Sequence, residues 1–197
     1  MNIAIAFTMS RVAVAPFFAW SFIHGYRSSS PGFIWLAVLC AVLIELSDMF
    51  DGMTARARGE VTDFGKVFDP VADSVSRQTV FIAFMVTGII PLWMYLIFFY
   101  RDAFMQLMRI ICASNGIVLA ARMSGKVKAV LQGVATFVVL AVTLANLHHL
   151  QLVPSTVAGR PTGFWVVGAV ALFTALSVID YLIPNSHVFK KVLTPKK

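Results

Sequence analysis

The chain has 197 residues, of which 59% are hydrophobic and 13% charged, and its mean hydropathy is +0.83. Soluble globular domains are about half apolar and a quarter charged, so this composition argues against a soluble enzyme or a nucleic-acid-binding domain. The formal net charge of +7 then points to a membrane surface as the anionic partner. The composition indicates an integral membrane protein.

Six apolar stretches are each long enough, at about 20 residues, to cross a bilayer as a helix. They cover residues 3–23, 33–53, 67–88, 91–113, 127–147 and 163–183. The breaks between them carry Ser, Gly and Pro, which favour turns. We therefore predict an all-α integral membrane fold, a bundle of six transmembrane helices over residues 1–187, followed by a basic tail over residues 188–197.

Basic residues are distributed unequally between the two sets of connections and ends. Only Arg27 and Arg160 fall in one set. The other set holds Arg56, Arg58, Lys66, Arg122, Lys126, Lys128, Lys190, Lys191, Lys196 and Lys197. Because positive residues accumulate on the cytosolic side, both termini are predicted to be cytosolic. The small size favours a multi-pass protein of a prokaryotic inner membrane.

Acidic residues cluster between the second and third spans. Asp48 and Asp51 are three apart at the end of the second span, and Asp69 and Asp73 are four apart at the start of the third. Each pair lies on one face of its helix. Facing each other, the pairs would bring four carboxylates into a polar cavity between the second, third, fourth and fifth helices, open to the cytosol.

Four carboxylates near hydrocarbon need compensation, since each ionised group costs about 3 kcal/mol on insertion scales. Oxygen ligands of this kind suit Mg²⁺ or Mn²⁺. A simpler interpretation is a solvated rim, which explains Asp69 and Asp73 near a helix N-terminus but not Asp48 and Asp51 near a C-terminus. Beside the acids, Gly52, Ala55 and Gly65 leave space and Arg56 offers a donor fork for phosphate. The pattern favours a metal-bound diphosphate.

At these positions the chain resembles the CDP-alcohol phosphotransferase family, whose signature is D-x2-D-G-x2-A-R-x8-G-x3-D-x3-D. The fixed positions are all met, at Asp48, Asp51, Gly52, Ala55, Arg56, Gly65, Asp69 and Asp73. The resemblance implies a six-span homodimer that uses two metal ions to displace CMP from a CDP-linked donor with an alcohol. It further implies that all four Asp hold the metals, that Asp73 is the base, and that Asp48 with the small residues and Arg56 binds CDP.

A second group of residues bears on the alcohol. Arg101 and Arg109 lie in the fourth span, and Lys126 and Lys128 open the fifth. Intramembrane arginines are functional by default, so these four cations are candidates for binding the phosphate of an acceptor. The alternatives are that the lysines are membrane anchors, that Arg109 reaches the interface, and that Arg101 pairs with Asp102.

Within the family, the stretch from Ile90 to Gln132 and the opening residues resemble the subgroup that makes phosphatidylglycerophosphate. That likeness implies CDP-diacylglycerol as donor and sn-glycerol 3-phosphate as acceptor. Three positions depart from the subgroup, namely Ser47, Arg77 and Ala129. The acceptor therefore stays open between glycerol 3-phosphate, phosphatidylglycerol as in cardiolipin synthases, and inositol phosphate or serine.

A divalent-cation transporter is the alternative of a different class, because transporters also carry intramembrane acids. A transporter predicts acids along a path across the bilayer. Here the clustered acids sit at one side of the membrane with arginine and lysine beside them. Since those cations attract phosphate and repel a permeating cation, the sequence favours an enzyme.

Overall fold

The computed structural model describes the backbone of residues 3–58, 63–114, 123–150 and 154–193, and the side chains within 6–50, 68–112, 114, 123–150 and 154–183. Six helices follow one another in the order α1 (Ile3–Arg27), α2 (Pro31–Arg58), α3 (Asp63–Val86), α4 (Leu92–Ser114), α5 (Met123–Leu147) and α6 (Thr162–Leu193). The predicted number of helices is confirmed for the described residues. Most are longer than the apolar stretches, because charged residues at their ends continue the helix.

The turn between α3 and α4 explains why these two helices are joined so closely. Gly88 has a φ of +78°, a left-handed conformation that glycine adopts without steric cost. The Ile89 amide donates to the Phe84 carbonyl at 3.0 Å, and the Gly88 amide donates to the Met85 carbonyl at 3.0 Å. This pair of bonds is a Schellman motif. Pro91 then stands immediately before α4, so the predicted break over Gly88–Pro91 is confirmed.

A small β-hairpin between α5 and α6 is an addition to the predicted all-α fold. Strands β1 (Thr156–Val157) and β2 (Arg160–Pro161) pair antiparallel. Both central residues, Ala158 and Gly159, have positive φ, as tight hairpin turns require. Trp165 Nε1 donates to the Val157 carbonyl at 2.9 Å and ties the hairpin to α6. From the sequence, this segment is predicted only as a break between two spans.

The core of the bundle is aromatic where α1, α3 and α4 meet. Phe18, Phe22, Phe81, Phe84 and Phe98 are each at most 1% exposed. The rings of Phe81 and Phe98 stack with centroids 4.3 Å apart, and those of Phe22 and Phe84 meet edge to face at 5.1 Å. Such pairs add about 0.5–1.5 kcal/mol beyond the area that they bury. This packing fixes α3 and α4, the two helices that carry most of the candidate site.

The outer surface of the bundle is apolar. Leu172, Leu176, Ile179 and Ile183 are each more than half exposed, and their spacing places them on one face of α6. Four helices in the described part of the chain are long and apolar enough to cross a membrane, at Ala6–Arg27, Pro31–Phe50, Met123–Leu147 and Thr162–Ile183. Helices α3 and α4 interrupt their apolar surface with the charged residues of the candidate site. The molecule is an all-α membrane protein.

Close packing at the α1–α2 turn gives a first prediction. A Cβ at Gly25 would lie 2.9 Å from Phe33 Cβ and 3.0 Å from the Ile34 backbone nitrogen, closer than real Cβ contacts. Gly25→Ala should therefore destabilise the fold by about 1–3 kcal/mol through overpacking, measured as a lower melting temperature in detergent. Gly32→Ala is the matched control, because a Cβ there meets nothing within 4 Å. Equal melting temperatures for the two variants would contradict this packing.

Candidate active site

A cavity of about 320 Å³ opens at the end of the bundle where α3 and α5 begin. Its polar and charged lining is Asp48, Asp69, Asp73, Ser74, Arg101, Asp102, Gln106, Arg109, Lys126, Lys128 and Tyr181. These side chains come from α2, α3, α4 and α5, as predicted, and also from α6, which contributes Tyr181. The structure therefore brings three of the four predicted acids, Asp48, Asp69 and Asp73, together with the four predicted cations around one cavity.

Helix α1 holds the acids of the cavity in place. Arg11 is 1% exposed, and its Nη1 donates to Asp48 Oδ1 at 2.5 Å and lies 3.6 Å from Asp73 Oδ1. One turn earlier, Thr8 Oγ1 donates to Asp69 Oδ1 at 2.9 Å. A buried guanidinium between Asp48 and Asp73 reduces the repulsion between like charges on α2 and α3.

A second arginine, Arg77, holds Asp73 from the same helix, α3. Arg77 Nε donates to Asp73 Oδ1 at 2.8 Å. Its Nη1 donates to the Ala129 carbonyl at 3.0 Å and to Glu45 Oε1 at 3.3 Å. Arg77 is buried, so these contacts from α2, α3 and α5 replace the water that its guanidinium would otherwise bind. Glu45 thus makes an ion pair from α2 to Arg77 on α3.

The remaining signature residues lie in the region where only the backbone is described. Asp51, Gly52, Ala55 and Arg56 belong to α2, and Gly65 belongs to α3. Their side chains are outside those that the structure describes. Three of the four signature carboxylates therefore line one cavity, and the diphosphate-binding face stays a prediction.

The basic side of the cavity is organised around Asp102. Its Oδ1 accepts from Lys128 Nζ at 2.8 Å and from Arg101 Nη1 at 3.0 Å, and its Oδ2 accepts from Gln78 Nε2 at 3.3 Å. Asp102 and Lys128 are each 5% exposed. The predicted alternative of an Arg101–Asp102 ion pair is confirmed, and Lys128 is buried rather than a surface anchor.

The other two cations reach the same cavity with more solvent around them. Arg109 and Lys126 are exposed in the structure, and both line the cavity. Arg109 lies near the Tyr181 hydroxyl. A Cβ at Gly125 would lie 3.8 Å from Arg101 Nη2, an ordinary contact, so the start of α5 passes close to the guanidinium. The cavity thus has one buried cation, Lys128, one largely buried cation, Arg101, and two exposed cations.

Sequence reasoning assigned no site role to several side chains that complete the site. Arg11 and Thr8 are one turn apart on a span, and an arginine inside an apolar stretch is itself a functional signal. Glu45 stands one turn before Asp48, so helical spacing placed both on one face. Asp102 was considered only as a partner of Arg101. Tyr181 is far from every motif in the sequence and carried no signal.

The donor chemistry of the cavity fits a hard divalent cation. Asp48, Asp69 and Asp73 offer carboxylate oxygens, the ligands that Mg²⁺ and Mn²⁺ prefer. A carboxylate has about four lone-pair sites, so the contacts to arginine and threonine leave capacity for a metal. Among the described side chains no group of three or more Asp, Glu, His or Cys is arranged to hold a metal ion. The fourth signature acid, Asp51, lies outside that set.

This membrane bundle contains a cavity in which three carboxylates and four cations lie together, an arrangement suited to an enzyme with phosphate-bearing substrates. Residues 1–174 match the family model described as CDP-alcohol phosphatidyltransferase. The chain belongs to the CDP-alcohol phosphatidyltransferase family, and it is a transferase. Members of this family generally depend on divalent cations.

Curated relatives agree with this assignment. The chain is 26% identical to the CDP-diacylglycerol–glycerol-3-phosphate 3-phosphatidyltransferase of Bacillus subtilis, over 96% of this chain and 97% of the relative. It is 32% identical to the enzyme of the same description from Treponema pallidum, over 65% of this chain and 63% of the relative. A cardiolipin synthase (CMP-forming) from Streptomyces coelicolor is 29% identical over 51% of this chain and 46% of the relative.

Proposed function

We propose that this protein transfers the phosphatidyl group of CDP-diacylglycerol to a hydroxyl of sn-glycerol 3-phosphate and releases CMP. The observation that carries the proposal is that three of the signature acids and four cations line the same cavity. Transfer between two phosphate-bearing substrates needs groups that bind each of them at one place. The descriptions of the Bacillus and Treponema relatives support the same donor and acceptor.

The donor half of the site is formed by the signature. Asp48, Asp51, Asp69 and Asp73 would hold Mg²⁺ or Mn²⁺, with two ions as the family resemblance implies. When bound, such ions stabilise charge on the attacking and leaving oxygens of a displacement at phosphorus. The CDP moiety would lie against Asp48, Gly52, Ala55, Arg56 and Gly65. Arg11 and Thr8 support this half by fixing Asp48 and Asp69 from α1.

The acceptor half of the site supplies the nucleophile. Asp73 takes the proton of the acceptor hydroxyl, whose oxygen forms a bond to the phosphorus that carries the diacylglycerol. The bond from that phosphorus to the bridging oxygen breaks, and the oxygen leaves as part of CMP. Arg101, Arg109, Lys126 and Lys128 bind the phosphate of the acceptor, so that its hydroxyl is held in position for the reaction.

The charge of the cavity supports an acceptor with a phosphomonoester. Lys128 is buried, and both Lys128 and Arg101 donate to Asp102. Because removing cations from water costs free energy, a dianionic ligand compensates for that cost better than a neutral alcohol does. Serine carries no phosphate, and the headgroup of phosphatidylglycerol carries a phosphodiester with a single charge. Glycerol 3-phosphate is thus favoured over both, and cardiolipin synthesis becomes an outcome of the test.

The position of the cavity supports a membrane orientation. The residues that line it come from the end of α2 and the starts of α3 and α5, where the basic residues of the sequence also concentrate. We therefore propose that all six helices cross the membrane, with both termini and the cavity on the cytosolic side. Residues 188–197 would bind anionic headgroups. We also propose that the protein is a homodimer in a prokaryotic inner membrane.

The test measures CMP release by the purified protein in detergent with CDP-diacylglycerol, Mg²⁺ and one alcohol at a time. We expect release to require glycerol 3-phosphate and the divalent cation. Repeating the assay with phosphatidylglycerol, serine and inositol phosphate identifies the acceptor by comparison. Release only with phosphatidylglycerol would replace the proposal with cardiolipin synthesis, and no release with any alcohol would contradict the donor.

A further inference from the structure

Glu45 is a charged residue in an otherwise apolar part of α2, and the mechanism above does not use it. It stands one turn before Asp48 and faces inward, where its Oε1 lies 3.3 Å from Arg77 Nη1. Helix α5 packs directly against it, since a Cβ at Gly133 would lie 3.1 Å from Oε1 and 3.4 Å from Cδ. Gly133 thus leaves room for this carboxylate, and a Cβ at that position would be in tight contact with it.

The guanidinium of Arg77 is held from three directions. Asp73 lies at 2.8 Å on its own helix, Glu45 at 3.3 Å on α2, and the Ala129 carbonyl at 3.0 Å on α5. An ion pair between residues four apart on one helix is weak by itself. A planar guanidinium bound by further acceptors on two other helices, however, has one orientation. The contacts from α2 and α5 thus hold the Arg77–Asp73 ion pair in one geometry, which the pair alone would not maintain.

The orientation of Arg77 decides the orientation of the Asp73 carboxylate. Arg77 Nε and Arg11 Nη1 both approach Oδ1 of Asp73, at 2.8 and 3.6 Å. Two guanidinium groups on one oxygen direct the other carboxylate oxygen along a defined line. If Glu45 were lost, Arg77 would keep Asp73 and the Ala129 carbonyl but would lose its charged partner on α2. The guanidinium, and with it the Asp73 carboxylate, would then be held less firmly in its orientation.

We propose that Glu45 is a positioning residue, which holds Arg77 from α2 and thereby fixes the Asp73 carboxylate for proton transfer. This inference rests on the proposed function, because it assumes that Asp73 takes the proton of the acceptor alcohol. Small misplacements of a reacting group reduce the rate of chemistry without changing the binding of substrate. Glu45 should therefore affect kcat rather than KM.

The experiment compares steady-state kinetics of Glu45→Ala, Glu45→Asp and Glu45→Gln with the wild-type protein. We expect Glu45→Ala to lower kcat about tenfold, with KM for both substrates within about twofold of wild type. Aspartate keeps the charge but is one methylene shorter and loses contact with Arg77, so kcat should fall here too. Glutamine keeps the length and an acceptor oxygen, and should recover most of the activity. Leu43→Ala, at an exposed position on the same helix, is the control for general effects on α2.

A double-variant cycle distinguishes positioning from a purely structural role. If Glu45 acts through Arg77, adding Glu45→Ala to Arg77→Ala should cause no further loss of kcat, whereas independent effects would multiply. The proposal is overturned if Glu45→Ala matches Leu43→Ala, or if the losses multiply. Where Glu45→Ala fails to fold, full activity of Glu45→Asp overturns it. If the wild-type protein is inactive with glycerol 3-phosphate, that result contradicts the proposed function and not the role of Glu45. The variants are then compared with the alcohol that does support CMP release. This comparison remains valid because Asp73 would take the hydroxyl proton of any acceptor.

Discussion

Asp73→Asn is expected to abolish CMP release while the protein stays folded. The amide cannot take the proton of the acceptor hydroxyl, and loss of a general base alone lowers rates by about 10²- to 10⁴-fold. Asparagine has nearly the same volume, and its carbonyl oxygen can still accept from Arg77 Nε, which lies 2.8 Å from the present carboxylate. We therefore expect the turnover to fall at least a hundredfold on that basis. The melting temperature should fall only slightly, because Arg77 keeps Glu45 and Arg11 keeps Asp48 as charged partners.

Two comparisons make this result specific. Asp180→Asn makes the same chemical change on α6 at an exposed residue outside the lining of the cavity, and it should retain activity. Asp69→Asn removes a proposed metal ligand but not the base, so raising the Mg²⁺ concentration should restore part of its activity and none of that of Asp73→Asn. Near-normal turnover in Asp73→Asn would exclude this residue as the base.

The acids of the site were predictable from their spacing in the sequence, but the side chains and carbonyls that hold them in position were not. Asp48, Asp69 and Asp73 follow from helical periodicity, because residues three or four apart share a face. The partners of these acids depend on how neighbouring helices are rotated about their axes. Arg77 could have faced lipid, α4 or α5, and only the packing of α5 brings the Ala129 carbonyl within 3.0 Å. Tertiary packing of this kind leaves no pattern in one sequence.

The extents of the helices were predicted less well than their number, and the reason is physical. Apolar stretches mark the part of a helix inside hydrocarbon, whereas hydrogen bonding continues the helix into polar surroundings. Helix α5 begins at Met123, four residues before the predicted span at residue 127, so Lys126 also lies on its first turns. Lys128, which the predicted span already included, points into the bundle and reaches Asp102.

Asp102→Asn is expected to destabilise the protein strongly and to weaken acceptor binding. Asp102 is the carboxylate to which both Arg101 and Lys128 donate, at 3.0 and 2.8 Å, and it is 5% exposed. Removing one partner of a buried ion pair costs about 3–5 kcal/mol, because the remaining charge stays buried without compensation. Here two cations would lose their counter-charge, so we expect a large fall in the melting temperature in detergent.

A second substitution separates stability from acceptor binding. In the double variant Asp102→Asn/Lys128→Met one of the two uncompensated cations is gone, so much of the lost stability should return. The binding of glycerol 3-phosphate should not return, since a cation of the acceptor site is missing. We expect KM for glycerol 3-phosphate to rise about tenfold or more in Lys128→Met and in the double variant, as loss of a charge-assisted contact implies. KM for CDP-diacylglycerol should stay near wild type in both.

Lys126→Met is the matched control for this pair, because Lys126 is exposed on the first turns of the same helix. Its melting temperature should stay near that of wild type, since an exposed charge contributes little to stability. If Asp102→Asn were no less stable than Lys126→Met, the buried network would not hold in solution. If the double variant recovered both stability and acceptor binding, the role of Lys128 would be only to neutralise the charge of Asp102. The acceptor phosphate would then be bound by Arg101 and the exposed cations of the cavity.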